Sequence, residues 1–468
     1  MYPMANDTNN YNNYNYDVFP LVVAKDRETT VHIRPLGGRQ EFTPGEKYRL
    51  SVNALDGGNP RDFPATGDFK IKEAVCNAEG GFDVVHTFDK EQEYFLMFYD
   101  GDRRVNTFSV YCVDADLVGM YPFIGDLHMH TNLSDGRETP EVVAANYRRH
   151  GYDFTVISDH GRYYPSLRAI DFYKELPIEF NIVCGEEVHL PPVYGKTNDV
   201  HIVNFGGEYS INGLTEGAQT REKGTDPAYR SLNGVCPESM SYEEYQAKMQ
   251  ALADSTEVPE NVDAVPYAVC KWIFDEIRKA GGLGIFPHPT WRREAYHVPE
   301  AFQDYMFETQ PFDAFEVLGG ERYFEHNGFQ TVRYYEEMAK GRRFPIVGST
   351  DSHSSYPTNA GAYICSTIVF SPENERKALI ESIKAFRSVA VDGISAPEFR
   401  IVGESRLVRY GCFLLKHFFP RHDELSYEEG RLMKEFATGT EDEKKAAAEA
   451  LKFISGRMKK QREKYFAF

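Results

Sequence analysis

The chain is 468 residues long, 41% hydrophobic and 26% charged, with a formal net charge of −19, a composition that suits roughly two or three globular domains. The acidic balance argues against an extended nucleic-acid surface, because phosphate backbones need basic patches. No apolar run approaches the length of a membrane span, the nearest being Tyr410-Gly-Cys-Phe-Leu-Leu.

Residues 1–17 are rich in Asn and Tyr and lack the basic start and apolar core of a signal peptide, so a disordered tail is expected there. The seven cysteines are scattered without a Cys-x-x-Cys pair. Neither a disulfide framework nor a thiolate zinc site is expected, and a cytoplasmic location follows. From Val18 to Val118, short alternating segments run from Phe19–Ala24 to Val105–Asp114, with Gly and Pro turns between them. This spacing predicts a small antiparallel β-sandwich over 18–118. His32 and His86 read there as ordinary strand residues.

After Gly119 the rhythm changes to strand then helix, which points to a parallel α/β barrel over 119–395. Predicted strands include Phe123–Leu127, Tyr152–Ser158, Phe180–Cys184, Val200–Phe205, Leu283–Phe286, Ala314–Leu318, Phe344–Gly348 and Ala362–Phe370. Helices are expected at Thr139–His150, Ser166–Leu176, Pro266–Ala280, Thr331–Lys340 and Glu373–Phe386. The polar, Gly-rich stretch Gly206–Ala264 interrupts the rhythm, with one helix opened by the capping-box pattern Ser241-Tyr-Glu-Glu244. An insertion this long is expected to form a lid or a substrate wall. Residues 396–468 read as a charged helical extension, its last part rich in Ala, Glu and Lys.

The predicted strand ends carry the chemistry. On a strand, residues i and i+2 share a face, so His128 and His130 in Asp126-Leu-His-Met-His project together. The turn Ser134-Asp-Gly136 swings Asp135 toward them. Further along come Ser158-Asp159-His160, Gly185-Glu186-Glu187-Val-His189, His201, Pro287-His288-Pro289 and Ser349-Thr-Asp351-Ser-His353. Singly, each is equally an ordinary turn, cap or loop residue. Together, His128, His130, His160, His201, His288 and His353, six of the 14 histidines, fall where the C-terminal strand ends of a barrel converge. A metal centre follows. Of Glu186 and Glu187 only one can face the mouth, since adjacent strand residues point opposite ways. Arg162, Arg292 and Arg293 follow these motifs and are candidate cationic clamps for a phosphate, with Arg168 a weaker one. His189 and Asp159 are candidates for protonating a leaving group.

In order, these motifs resemble the polymerase-and-histidinol-phosphatase (PHP) family of metal-dependent phosphoesterases, over about Gly119 to Gly393. The resemblance implies a distorted seven-stranded β/α barrel and two or three divalent ions, commonly manganese, zinc or iron. It implies the ligands His128, His130, Asp135, His160, Glu187, His201, His288, Asp351 and His353, and so selects Glu187 over Glu186. Asp135 stands where some members have histidine. The expected activity is hydrolysis of a small phosphate ester or nucleotide by a metal-bound hydroxide at a di- or trinuclear centre, with Glu187 bridging the ions. A sandwich ahead of such a barrel also resembles a branch related to carbaryl-type ester hydrolases, which keeps carboxylic and carbamate esters as an alternative. A catalytically silent metal-binding interaction module is the alternative of another class.

Overall fold

A computed structural model of the chain describes residues 15–38, 40–57, 69–216, 231–292, 294–319, 324–356, 365–393 and 399–468. Most of the tail expected over 1–17 lies outside these, as do 217–230 of the insertion. Tyr16 and Asp17 are not a tail: they open the strand Tyr16–Phe19 and are buried. The described chain divides into two compact units. One comprises Pro122–Glu404 and Ser426–Ser455. The other comprises the residues up to Tyr121 together with Ser405–Leu425 and Gly456–Phe468. The C-terminal helices are thus shared out: Glu441–Ile454 counts with the first unit, and Ser405–His417 and Arg457–Tyr465 with the second.

The smaller unit has two sheets. Tyr16–Phe19, Glu28–Pro35 and Phe82–Thr87 form an antiparallel three-stranded sheet. The other has six strands, in the order Phe466–Ala467, Val22–Ala24, Arg103–Val113, Gln92–Asp100, Lys47–Ala54 and Phe69–Val75. Burial along Gln92–Asp100 alternates residue by residue, the period of a strand with one face inward. An aromatic layer joins the sheets. Phe82 packs on Phe98 with ring centroids 4.3 Å apart, and Tyr16 on Phe108 at 5.3 Å. Each buried ring contributes roughly 1.5–3 kcal/mol. The single strand expected over Phe19–Ala24 is two strands, broken at Pro20, which has no N–H to donate.

The larger unit carries the strand–helix alternation, but its strands form two sheets. The first has the order Asn181–Val183, Phe154–Val156, Tyr121–Asp126, Cys365–Ser371, Ser388–Asp392 and Arg400–Val402. The second has the order Gly185–Glu187, Val203–Phe205, Leu283–Phe286, Ala314–Leu318 and Ile346–Gly348. Several pairs are antiparallel rather than parallel, including Gly185–Glu187 on Val203–Phe205, and among the described residues the two sheets are linked by the isolated parallel bridges Met129–Ser352 and His160–Glu187 rather than by a continuous ladder. At one seam a side chain stands in for the ladder. Thr367 Oγ1 accepts from Gly348 N at 2.9 Å and donates to Gly348 O at 2.7 Å. The apolar core lies between the second sheet and its helices, where Ile273 and Ile277 of Ala264–Lys279 meet Phe286, Phe307, Phe312 and Phe315. Among the described residues, no helix is long and apolar enough to cross a membrane.

Candidate metal centre

Backbone pairing beyond the strand ends draws the histidine-bearing segments together. His130 N donates to Ser352 O at 2.9 Å and Asp351 N to His128 O at 2.8 Å. Glu187 N donates to Ser158 O at 3.0 Å, Gly161 N to Glu187 O at 2.8 Å and Val188 N to Ile202 O at 2.8 Å. The segments around residues 128, 160, 187, 201 and 351 are therefore held by main-chain bonds, which do not depend on side-chain rotamers.

Glu187 is the hub. It is fully buried. Its Oε2 lies 2.6 Å from His160 Nδ1, 3.5 Å from His128 Nε2, 3.6 Å from His130 Nε2 and 3.7 Å from His189 Nε2. Its Oε1 lies 2.6 Å from His201 Nδ1. Asp351 Oδ1 is 3.0 Å from His130 Nε2 and 3.4 Å from His128 Nε2, and its Oδ2 is 3.7 Å from His288 Nε2. Asp135 Oδ1 lies 3.5 Å from His160 Nε2 and 3.4 Å from His353 Nε2. Four overlapping groups bring one ligand atom from each member within 4.8 Å of the others. They are His130/Asp135/His160/His353, His128/Glu187/His288, His128/His130/Asp351 and His160/Glu187/His189.

Several of these atoms are buried with no hydrogen-bond partner: His128 Nε2, His130 Nδ1, His201 Nδ1, both His288 nitrogens and both Glu187 oxygens. Buried polar groups without partners cost free energy, so convergence of so many on one spot fits cations that use their lone pairs. The donor set is imidazole and carboxylate without thiolate, which suits zinc, iron or manganese. Burial disfavours the Glu187 carboxylate, yet His201, His160 and His128 around it hold its pKa well below the usual range. His288 and Asp351 both have left-handed backbones, φ 26° and 48°. Non-glycine residues persist there only when their surroundings over-determine them.

The environment also separates the two adjacent glutamates. Glu186 points away from the histidines, accepting from Ser210 Oγ and Asn212 Nδ2, each at 2.8 Å, and from Ile211 N. It anchors the start of the insertion. Glu186→Ala would leave three buried donors without an acceptor, at about 1–3 kcal/mol each. We expect a lowered melting temperature with metal content unchanged, measured by thermal denaturation and elemental analysis of the purified variant.

The remaining candidates are placed as follows. Asp159 is fully buried and its oxygens accept from Thr131 N, Thr131 Oγ1 and Ser134 Oγ at 2.5–3.0 Å. It braces the loop that carries Asp135. Gly136 closes that loop tightly, for an added Cβ would stand 2.7 Å from His130 O. His189 Nε2 is 2.9 Å from His160 Nδ1, and its side chain is about one third exposed. Arg162 is buried. Arg292 is exposed and paired with Glu325, Arg168 pairs with Glu141 at 2.6 Å, and Arg293 lies outside the described residues.

Three further residues, Asp126, His297 and Glu316, border the site. Asp126 is buried and receives His128 N at 3.1 Å, Thr350 N at 3.0 Å and Thr350 Oγ1. Burial pushes its carboxyl up to about 6. His297 stacks edge-on against His201, ring centroids 4.4 Å apart. Glu316 lies on the strand Ala314–Leu318, with Oε2 3.1 Å from His128 Nδ1. Burial pushes Glu316 up to about 7, against the pull of His128. Its signal in sequence was a lone charge inside an otherwise apolar strand.

No family model matches the sequence, and no curated protein matches it. Among solved structures, one likeness is to a two-domain protein containing a predicted PHP-like metal-dependent phosphoesterase from Bacteroides vulgatus ATCC 8482. Identity is 15% and the TM-score 0.36, and the match covers 58% of this chain and 65% of that one. The chain therefore spans less than two thirds of that protein's length. Another is to an amidohydrolase from Chromobacterium violaceum with bound sulfate and no metal, at 15% identity and a TM-score of 0.29, covering 51% of this chain and 90% of that one.

Proposed function

We propose that the chain is a metal-dependent hydrolase of phosphate esters, acting on a small phosphorylated molecule or a nucleotide. The observation that carries the reading is the convergence of buried imidazole and carboxylate atoms on Glu187, several of them without a hydrogen-bond partner. His128, His130, Asp135, His160, Glu187, His201, His288, Asp351 and His353 would hold two or three divalent ions such as manganese, zinc or iron. Bound there, the ions would acidify a water and offset the charge that builds on the ester oxygens in the transition state.

The chain's own residues supply the rest. Glu187 gathers the imidazoles of His160, His201 and His128 around one buried carboxylate. Asp126 and Asp159 hold the backbone of the loops that carry the ligands. His189, half-buried beside His160, is positioned to give a proton to a leaving alcohol. Arg162, buried just past His160 in the chain, is a candidate clamp. Arg292 and Arg168 are each held by a carboxylate, which favours a second reading in which the substrate is an uncharged carboxylic or carbamate ester.

The two readings separate in one experiment. Purified protein with added manganese is given a chromogenic phosphomonoester, a phosphodiester and a carboxylic ester in parallel. Chelator-sensitive cleavage of either phosphate ester is the expected result. Cleavage of the carboxylic ester alone would move the chain to the second reading.

A further inference from the structure

We propose that Glu316 is a positioning residue of the metal centre, fixing the tautomer and direction of His128; the inference rests on the metal-dependent reading above. Glu316 sits in the middle of the fully buried strand Ala314–Leu318, and its Oε2 lies 3.1 Å from His128 Nδ1. In its carboxylate form Glu316 can only accept, and Nδ1 then carries the proton while Nε2 presents its lone pair. That Nε2 is the atom facing Glu187 Oε2 at 3.5 Å and Asp351 Oδ1 at 3.4 Å. Glu316 meets the opposite edge of the ring and belongs to none of the four ligand groups. Carboxylates placed behind a ligating imidazole fix its orientation and raise its basicity.

The surroundings hold the backbone that carries Glu316 in place. Gln330 Nε2 donates to Glu316 O at 3.1 Å, and Asn327 Oδ1 accepts from Gly319 N at 2.9 Å. Both partners lie on the helix Phe324–Ala339. A Cβ at Gly319 would stand 2.8 Å from Glu316 Oε1 and 3.2 Å from the His288 side chain. The bare glycine leaves room for Glu316 and His288 to pack together. The same helix reaches the His288 loop, because His326 Nδ1 lies 2.9 Å from Thr290 Oγ1. Glu316 thus ties His128 to the element that also braces the loop of His288.

The test is cobalt(II) binding by the full chain after chelator treatment, read by titration and by the visible ligand-field spectrum. Glu316→Leu removes the acceptor. It is expected to raise the cobalt Kd about 10–100-fold and to change the spectrum, with an unaltered far-UV circular dichroism spectrum. Glu316→Gln keeps a neutral acceptor and should fall between Glu316→Leu and the unsubstituted chain. On a His128→Ala background, Glu316→Leu should cause no further loss, because its effect runs through that imidazole. Unchanged affinity and spectrum in Glu316→Leu, or additive loss on the His128→Ala background, would overturn the proposal. If Glu316→Leu fails to fold, Glu316→Gln decides, with an unchanged Kd and spectrum overturning it. An unsubstituted chain that binds no cobalt overturns the metal reading itself and this proposal with it.

Discussion

Replacing Glu187 by glutamine is expected to abolish turnover and metal binding together. The carboxylate is buried and faces five imidazoles: His160, His128, His130 and His189 across Oε2, and His201 across Oε1. An amide keeps the shape but loses the negative charge and turns an NH2 group toward one side of the cluster. Removing one partner of a buried charge constellation costs about 3–5 kcal/mol, and each 1.4 kcal/mol is about tenfold in affinity. Metal affinity should fall at least about 100-fold, and kcat/KM with it. Elemental analysis and steady-state kinetics on the same preparation check this. Full metal content with normal turnover would remove Glu187 from the hub. The neighbouring Glu186→Ala variant is the internal control. It should lose thermal stability and keep its metal, because Glu186 bonds Ser210, Ile211 and Asn212 rather than the histidines.

Removing the metals should cost both activity and stability. A ligand present at 1,000 times its Kd stabilises the folded state by about 4 kcal/mol. Each kcal/mol moves the melting temperature of a unit this large by roughly 2 °C. Dialysis against a strong chelator should therefore lower the midpoint by roughly 8 °C per tightly held ion and abolish hydrolysis. Manganese or zinc should restore both. The physical cause is the set of buried nitrogen and oxygen atoms that have no hydrogen-bond partner; without cations, solvent or a rearranged cluster must satisfy them. Differential scanning calorimetry before and after metal return measures the shift. A midpoint indifferent to chelation would mean that the cluster satisfies itself without cations.

The sequence by itself determined the parts of this protein that depend on neighbours along the chain. His128 and His130 share a strand-derived face because their spacing is two residues, and Ser134-Asp-Gly136 turns because those residue types favour turns. The Gly185-Glu-Glu187 segment had to turn one glutamate in and one out. Period-two burial in Gln92–Asp100 and the capping box at Ser241 were equally local.

Tertiary structure alone decided what depends on distant partners. Glu316 meets His128 across 188 residues, so no spacing rule links them. Arg292 and Arg168 sit beside ligand motifs in sequence, yet Glu325 and Glu141 hold their guanidinium groups. Asp159 follows Ser158 as a candidate proton donor, and its oxygens accept from Thr131 and Ser134, which lie 25–28 residues away in sequence. The strand–helix alternation pointed to a parallel α/β barrel, but how strands assemble depends on which edges meet. Here the edges form two sheets, with Thr367 filling one seam by its hydroxyl. Strand propensity and turn chemistry act over a few residues. Edge pairing and buried charge pairing are set by contacts that the chain makes only once it is folded.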